Sequence, residues 1–458
     1  MKDLTQGSVA RHLLSLSGFI AVSMMFQTLY LLADLYWAGR LGKEAVAALS
    51  LAGNLMFVVF AVTQTLSVGT TTLISQAVGA GDRNRARLVF NQALVLSMAV
   101  GIVFSVIAFA AREQYATLLS ADAKTAMLGE QYLFWFVPAL LLQFAIVAMA
   151  AALRGTGIVK PTVAIQVLTV VINMVLAPVL MFWGFGRPMG VAGAGLATFI
   201  SVFIGVVALI VFFVRKESYL ALAPAEWRPR WPLWYQMTRI GLPAGAEFAL
   251  LSIYMMLIYW IIRGFGAAAQ AGFGVGGRVM QALFLPVIAL AFAVAPLAGQ
   301  NFGARQADRV RQTFSSAIFV STAIMLVLTG LCHIAPATLI MLFSRDPAVV
   351  AFGAEYLRIV SWNFVAFGVV YTSSSLFQGL GNTLPPLVSS ASRLLLFALP
   401  AYLLSLRPGF QIREVWYLSV ATVTFQALLN LYLLKREFDR KLNFQGPVSA
   451  PASAGAPA

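Results

Sequence analysis

The sequence predicts an all-α integral membrane protein of twelve transmembrane helices arranged as two parallel six-helix repeats, and three observations predict it. Hydrophobic residues make up 60% of the chain and charged ones 10%, with mean hydropathy +0.86, against roughly 25% charged in an ordinary soluble domain. The apolar residues fall into runs of the ~20 residues needed to cross hydrocarbon, and twelve such runs leave only short loops in 458 residues. The chain also repeats itself, largely without gaps, at an offset of 224 residues.

The spans are read between clusters of Gly, Pro and charge. The first, 13 to 38, follows Lys2 and Arg11; it is too long for a signal-peptide core and lacks a small-residue cleavage pattern, so it is expected to stay attached. The second and third are 46 to 77 and 88 to 111, separated by the Gly79 to Arg87 loop, and the fourth, 132 to 153, follows Asp122 and Lys124. Arg154 to Pro161 precedes the fifth, 162 to 183, and a Gly-rich turn precedes the sixth, 191 to 214. The second repeat gives 240 to 262, 271 to 298, 314 to 335, 356 to 377, 387 to 406 and 415 to 434. All are expected to be helices, because backbone in hydrocarbon must satisfy its own hydrogen bonds and the runs are too long and too uniformly apolar for barrel strands. The domains follow as an N-terminal lobe 1–214, a cytoplasmic linker 215–239, a C-terminal lobe 240–434 and a cytoplasmic tail 435–458, whose Pro/Ala/Ser/Gly-rich part after Asn443 reads as disordered.

With the N-terminus inside, the cytoplasmic segments hold about 19 of the 31 Lys and Arg, which accounts for the formal charge of +15. Both termini are therefore expected in the cytoplasm of an inner (plasma) membrane protein. No compact basic region supports a nucleic-acid partner. The lone Cys332 excludes intramolecular disulfides, His12 and His333 are the only histidines, and no Gly-rich loop ends in the Lys-Ser/Thr that holds ATP phosphates. Neither an enzyme nor a cofactor or metal is expected, and a monomer among membrane lipids is.

The repeat pairs Gly42 with Gly266, Gln76 with Gln300, Gly79 with Gly303, Arg85 with Arg309, Asp122 with Asp346, Tyr132 with Tyr356, Gly157 with Gly381 and Thr198 with Thr422. Six spans per copy is an even number, so the copies enter the membrane in the same sense, related by an axis along its normal with a cleft between them. Two bundles that can rock about a cleft suit a transporter; a channel needs no such duplication.

Several segments carry a family resemblance: Asp34-Leu-Tyr-Trp-Ala-Gly-Arg-Leu-Gly42, Ser75-Gln-Ala-Val-Gly-Ala-Gly-Asp82, and Leu153-Arg-Gly-Thr-Gly157 with Pro161. Together they make nearly the whole chain resemble the multidrug and toxic compound extrusion (MATE) family. The resemblance implies two six-helix lobes in a V shape that export amphipathic, often cationic compounds against a cation gradient. Two departures stand out. The DinF-like branch has an Asn followed four residues on by an Asp before Pro in the fifth span; here Asn173 is kept, but Ala177 stands before Pro178. Other members carry a tenth-span Asp and a seventh-span Glu about eight residues after Leu-Pro; here the tenth span has no acid, and Glu247 follows Pro243 by four.

Of 16 acidic residues, only Asp34 and Glu247 fall well inside a span, where an ionisable group costs at least ~2.5 kcal/mol on insertion scales and marks a functional candidate. Asp34 is expected to couple transport to a cation, with Asn173 and Thr198 as oxygen-bearing neighbours; the alternative is a carboxylate tied to a neighbouring span. The coupling ion reads as H⁺ rather than Na⁺, because Ala177 removes the second carboxylate. Polar stripes at helical spacing give a substrate cavity of Gln27, Tyr30, Gln64, Ser67, Thr71, Asn363, Phe367 and Tyr371, against interhelical hydrogen bonding as the plainer reading. Tyr254 and the methionines beside it could contact cationic ligands, or lipid. Glu247 and Arg393 are expected to form an intramembrane ion pair, being seven and six residues deep in spans that repeat symmetry makes neighbours. The function that follows is secondary active efflux of amphipathic, often cationic drugs or metabolites; the alternative is a flippase for lipid-linked oligosaccharide precursors.

Overall fold

A computed structural model describes residues 1–120, 122–184 and 186–444; the tail read as disordered falls, beyond Phe444, outside the described residues. The first half holds α1 (Val9–Leu41), α2 (Lys43–Gly79), α3 (Arg83–Ala110), a short α4 (Arg112–Leu119), α5 (Ala123–Gly155), α6 (Lys160–Phe182) and α7 (Val191–Arg215). The second holds α8 (Trp231–Ile262), α9 (Ala267–Gly303), α10 (Ala307–Ile334), a short α11 (Pro336–Met341), α12 (Pro347–Val360), α13 (Phe364–Gly379), α14 (Leu384–Ser405) and α15 (Ile412–Lys441). Twelve spans are long and apolar enough to cross a membrane, and every described element is helical, as expected.

The repeated residues outside the spans shape its turns. Gly42 and Gly266 sit at φ 121° and 89°, a left-handed conformation that favours glycine, and each turns the chain between the first and second span of its repeat. Asp122 and Asp346 are N-caps, accepting from Thr125 N at 2.8 Å and Ala348 N at 2.8 Å. The tenth span, expected as one run, is broken between α12 and α13 by a 3₁₀ turn at Ser361–Asn363. The Ser361 carbonyl is satisfied by Thr329 Oγ1 at 3.0 Å, which makes the break tolerable in an apolar layer.

The expected linker 215–239 is shorter than the spacing suggested, since α8 starts at Trp231, with Pro232 in its first turn. What remains is strapped to α3 by two fully buried amides. Asn91 donates to the Ala221 carbonyl (3.1 Å) and accepts from Ala223 N and Trp227 Nε1; Gln92 donates to the Arg228 carbonyl (2.8 Å) and accepts from Arg230 N and Trp234 Nε1.

The first helix of each repeat packs partly against the other half. Leu4, Val9, Leu13, Leu16 and Ile20 are buried with Leu290, Val294 and Leu297 of α9, while Met237, Ile240 and Ala244 of α8 are buried in the N-terminal core. The contacts that join the halves gather near the face bearing both chain termini. There Gly79 backs onto the Gln300 backbone and Gly303 onto the Gln76 backbone, so closely that a Cβ at either position would collide with the facing carbonyl. Gln76 Nε2 donates to the Gly379 carbonyl at 2.9 Å, and Gln300 Nε2 to the Gly155 carbonyl at 3.0 Å. Both pairs of contacts exchange under the 224-residue offset, so the seal is self-complementary, like a twofold dimer interface within one chain. The N-terminal segment threads this seal: Leu4 N donates to Gln300 Oε1 (3.0 Å), the Leu4 carbonyl accepts from Arg309 Nη2 (3.2 Å), and Lys2 N donates to the Thr156 carbonyl (2.9 Å).

Candidate functional site

Asp34, on α1, is only 7% exposed, and Asn173 of α6 and Thr198 of α7 are buried beside it. The Tyr30 hydroxyl, one turn before Asp34, lies 2.9 Å from Thr198 Oγ1. With the Asn173 amide oriented as its neighbours require, its nitrogen donates to Asp34 Oδ1 at 3.0 Å and its oxygen accepts from Thr198 N at 3.2 Å. Tyr132 of α5 is buried within electrostatic reach of Asp34. The three residues expected around the cation are thus brought together by four helices. Tyr132 was missed; its pairing with Tyr356 in the repeat was the available signal. Ala177, where the family motif places a second acid, is fully buried on α6.

The expected ion pair in the other half does not form. Glu247 accepts from Ser374 Oγ at 3.1 Å, and Arg393 is not within ion-pair distance of it. The register explains the miss. Thr383 bonds the Ile240 carbonyl and the Phe397 ring packs on Tyr254 at 4.7 Å, two contacts with the same sequence separation of 143. Matching Ile240 with Leu387 instead of Thr383 slipped α14 by four residues, about 6 Å at 1.5 Å per residue. Arg393 therefore lies one turn beyond Glu247. Its guanidinium stands 4.5 Å from the Tyr254 ring centroid and 5.3 Å from that of Phe367, and Nη1 reaches Gln426 Oε1 at 3.4 Å. Gln426 also donates to Ser390 Oγ at 3.0 Å.

The two halves use the same scaffold differently. Under the repeat, Tyr30 corresponds to Tyr254 and Thr198 to Thr422, but the places of Asp34 and Asn173 are taken by Ile258 and Phe397, both buried. Conversely, the places of Ser23 and Gln166, which hydrogen-bond each other, are taken by Glu247 and Ser390. Each half thus carries its acid at a different depth.

The cavity residues divide. Gln27 is exposed, Gln64 is half-buried, and Phe367 and Tyr371 are half-buried and stacked on one another beside Arg393. Ser67, Thr71 and Asn363 are corrected to the plainer reading. Ser67 accepts from Arg154 Nη2 (2.6 Å), Thr71 donates to the Ala151 carbonyl (3.0 Å) and Asn363 donates to Ser419 Oγ (3.3 Å), all three buried between helices. Among the described residues, no group of His, Cys, Asp or Glu could hold a metal ion.

Two six-helix repeats sealed on one face, with a carboxylate cluster inside one and separated charges inside the other, define a two-lobed membrane transporter. The MatE family model matches residues 20–179 and again 243–403, once per repeat, and the chain belongs to the multidrug and toxic compound extrusion (MATE) family. It is 28% identical over 406 residues to the probable multidrug resistance protein YoeA of Bacillus subtilis, covering 87% of each chain. It is 27% identical over 410 residues to an FAD transporter of Shewanella oneidensis, covering 87% of this chain and 89% of that one. Among solved structures, it resembles the outward-facing conformation of a multidrug resistance MATE family transporter, with TM-score 0.88 at 23% identity over 96% and 98% of the two chains. It also resembles a MATE in the bent conformation, with TM-score 0.89 at 23% identity over 95% and 97%.

Proposed function

We propose that the protein exports small amphipathic, often cationic compounds by alternating access, driven by protons that load and leave Asp34. One observation carries the choice of ion. Among the described residues no second carboxylate joins Asp34, whose side-chain neighbours Asn173, Thr198 and Tyr30 are uncharged. Na⁺ would need several oxygens to converge on it with negative charge beside them, whereas a proton needs only the one carboxylate. The multidrug names of the relatives, YoeA among them, support the export reading over lipid flipping.

The excess of Lys and Arg near the termini favours a cytoplasmic location for the sealed face, which leaves the opposite face to open outward. With that face open, Asp34 takes up a proton, losing the charge that Asn173 stabilises. α1 gives that change a path to the seal, since the helix that carries Asp34 also buries Leu13, Leu16 and Ile20 against α9 of the other half. Closing the outside, opening the terminal face and releasing the proton inward would complete an exchange for substrate.

The reading is tested in a drug-hypersensitive bacterial host expressing the chain. Export predicts that growth is protected against ethidium and related cations, and that Asp34→Asn, expressed to the same level, gives no protection. Absence of protection by the wild type, with rescue of a cell-wall lipid defect instead, would replace export by the flippase reading.

A further inference from the structure

The proposed proton exchange leaves one interior charge unused. Arg393 lies nine residues from the start of α14 and twelve from its end, deep in the span, and forms no ion pair. Its plane is held by the Tyr254 and Phe367 rings, which leaves the N–H edges as its binding surface. Those edges are poorly used: Nη1 makes one long bond to Gln426, and Nε is buried without a partner. No other hydrogen bond to the guanidinium forms among the described residues, and the side chain is only half-buried, so it is not sealed into the bundle. Tyr371, stacked on Phe367, lies within electrostatic reach of both Arg393 and Glu247. A purely structural arginine at this depth would find a carboxylate or carbonyls for its five donors. This one is clamped by aromatic faces with its donors left over.

We infer that Arg393, Tyr254, Phe367 and Tyr371 form a subsite for the anionic end of an aromatic substrate. A carboxylate or phosphate monoester would take the guanidinium edge in a bidentate pair, while the attached ring packs against the Phe367–Tyr371 stack. The substrate class then includes aromatic anions and zwitterions, not amphipathic cations alone. For its place in transport this rests on the export reading; as a statement about binding it does not.

The test is equilibrium fluorescence binding to the purified full chain in detergent, using two matched pairs of probes. Flavin mononucleotide and riboflavin differ by a phosphate, and 1-pyrenebutyrate and 1-pyrenebutanol by a carboxylate. At least one acidic member should bind about tenfold or more tightly than its neutral partner, the scale of a charged hydrogen-bonded pair. The pair that shows it identifies the oxyanion. Arg393→Gln should erase the preference, weakening the acidic probe about tenfold more than its neutral partner, and Arg393→Lys, which keeps the charge but not the fork, should restore it only in part. Equal binding within both pairs by the wild type, or a preference that survives Arg393→Gln, overturns the proposal. If Arg393→Gln does not fold, an undiminished preference in Arg393→Lys overturns it equally. Because no gradient is involved, failure of the export reading, seen as no uptake of any probe into proteoliposomes, is recorded separately from failure of the subsite.

Discussion

Asp34→Asn is expected to insert and fold like the parent and to lose gradient-driven transport completely, down to the leak rate of empty liposomes. The isostere fits the space between Tyr30 and Asn173 but cannot change charge. Its amide oxygen can keep the 3.0 Å bond from Asn173, so the loss falls on the charge and not on the fit. Efflux of a fluorescent cation from proteoliposomes, with size-exclusion behaviour as the folding control, measures both halves of the expectation. Retained uphill efflux would remove Asp34 from the coupling step.

Gly79→Ala should slow turnover for a different reason, by disfavouring closure of the terminal face. The added methyl meets the backbone carbonyl of Gln300, which cannot rotate away as a side chain could, and Gly303→Ala meets that of Gln76 by the same symmetry. Overpacking of about 1–3 kcal/mol corresponds to a shift of about 5- to 150-fold in the closed-to-open ratio. Cysteines placed along α2 toward this face, with Cys332 replaced, should become more reactive from that side in both variants. Gly53→Ala is the internal control: it lies on the same helix with nothing within 4 Å of the added carbon and should behave like the parent. Equal turnover in Gly79→Ala and Gly53→Ala would mean that the glycine seal plays no part in the cycle.

The spans were legible because hydrocarbon imposes their length, and the two-lobed plan because the repeat survives as Gly42/Gly266, Gln76/Gln300 and Gly79/Gly303, residues now seen to turn the chain or join the halves. The convergence of Asp34, Asn173 and Thr198 was legible from the rarity of an interior acid and from the family motif. The Glu247–Arg393 relation was not, because counting from loop ends cannot fix the register of two helices to better than a turn. Ser67, Thr71 and Asn363 show a second limit: a polar stripe looks alike whether it lines a cavity or bonds another helix, and only the neighbouring backbone decides. The path of residues 2–7 through the seal had no signal in periodicity, since it rests on backbone groups and one buried Leu4.

The central claim is that Asp34, with no second carboxylate beside it, binds a proton and not Na⁺. Substrate movement in proteoliposomes under an imposed pH gradient without Na⁺, set against a Na⁺ gradient at equal pH on both sides, tests it most directly. Transport driven by the pH gradient, unaffected by Na⁺ and absent in Asp34→Asn, is the predicted result; transport driven by the Na⁺ gradient alone would contradict it.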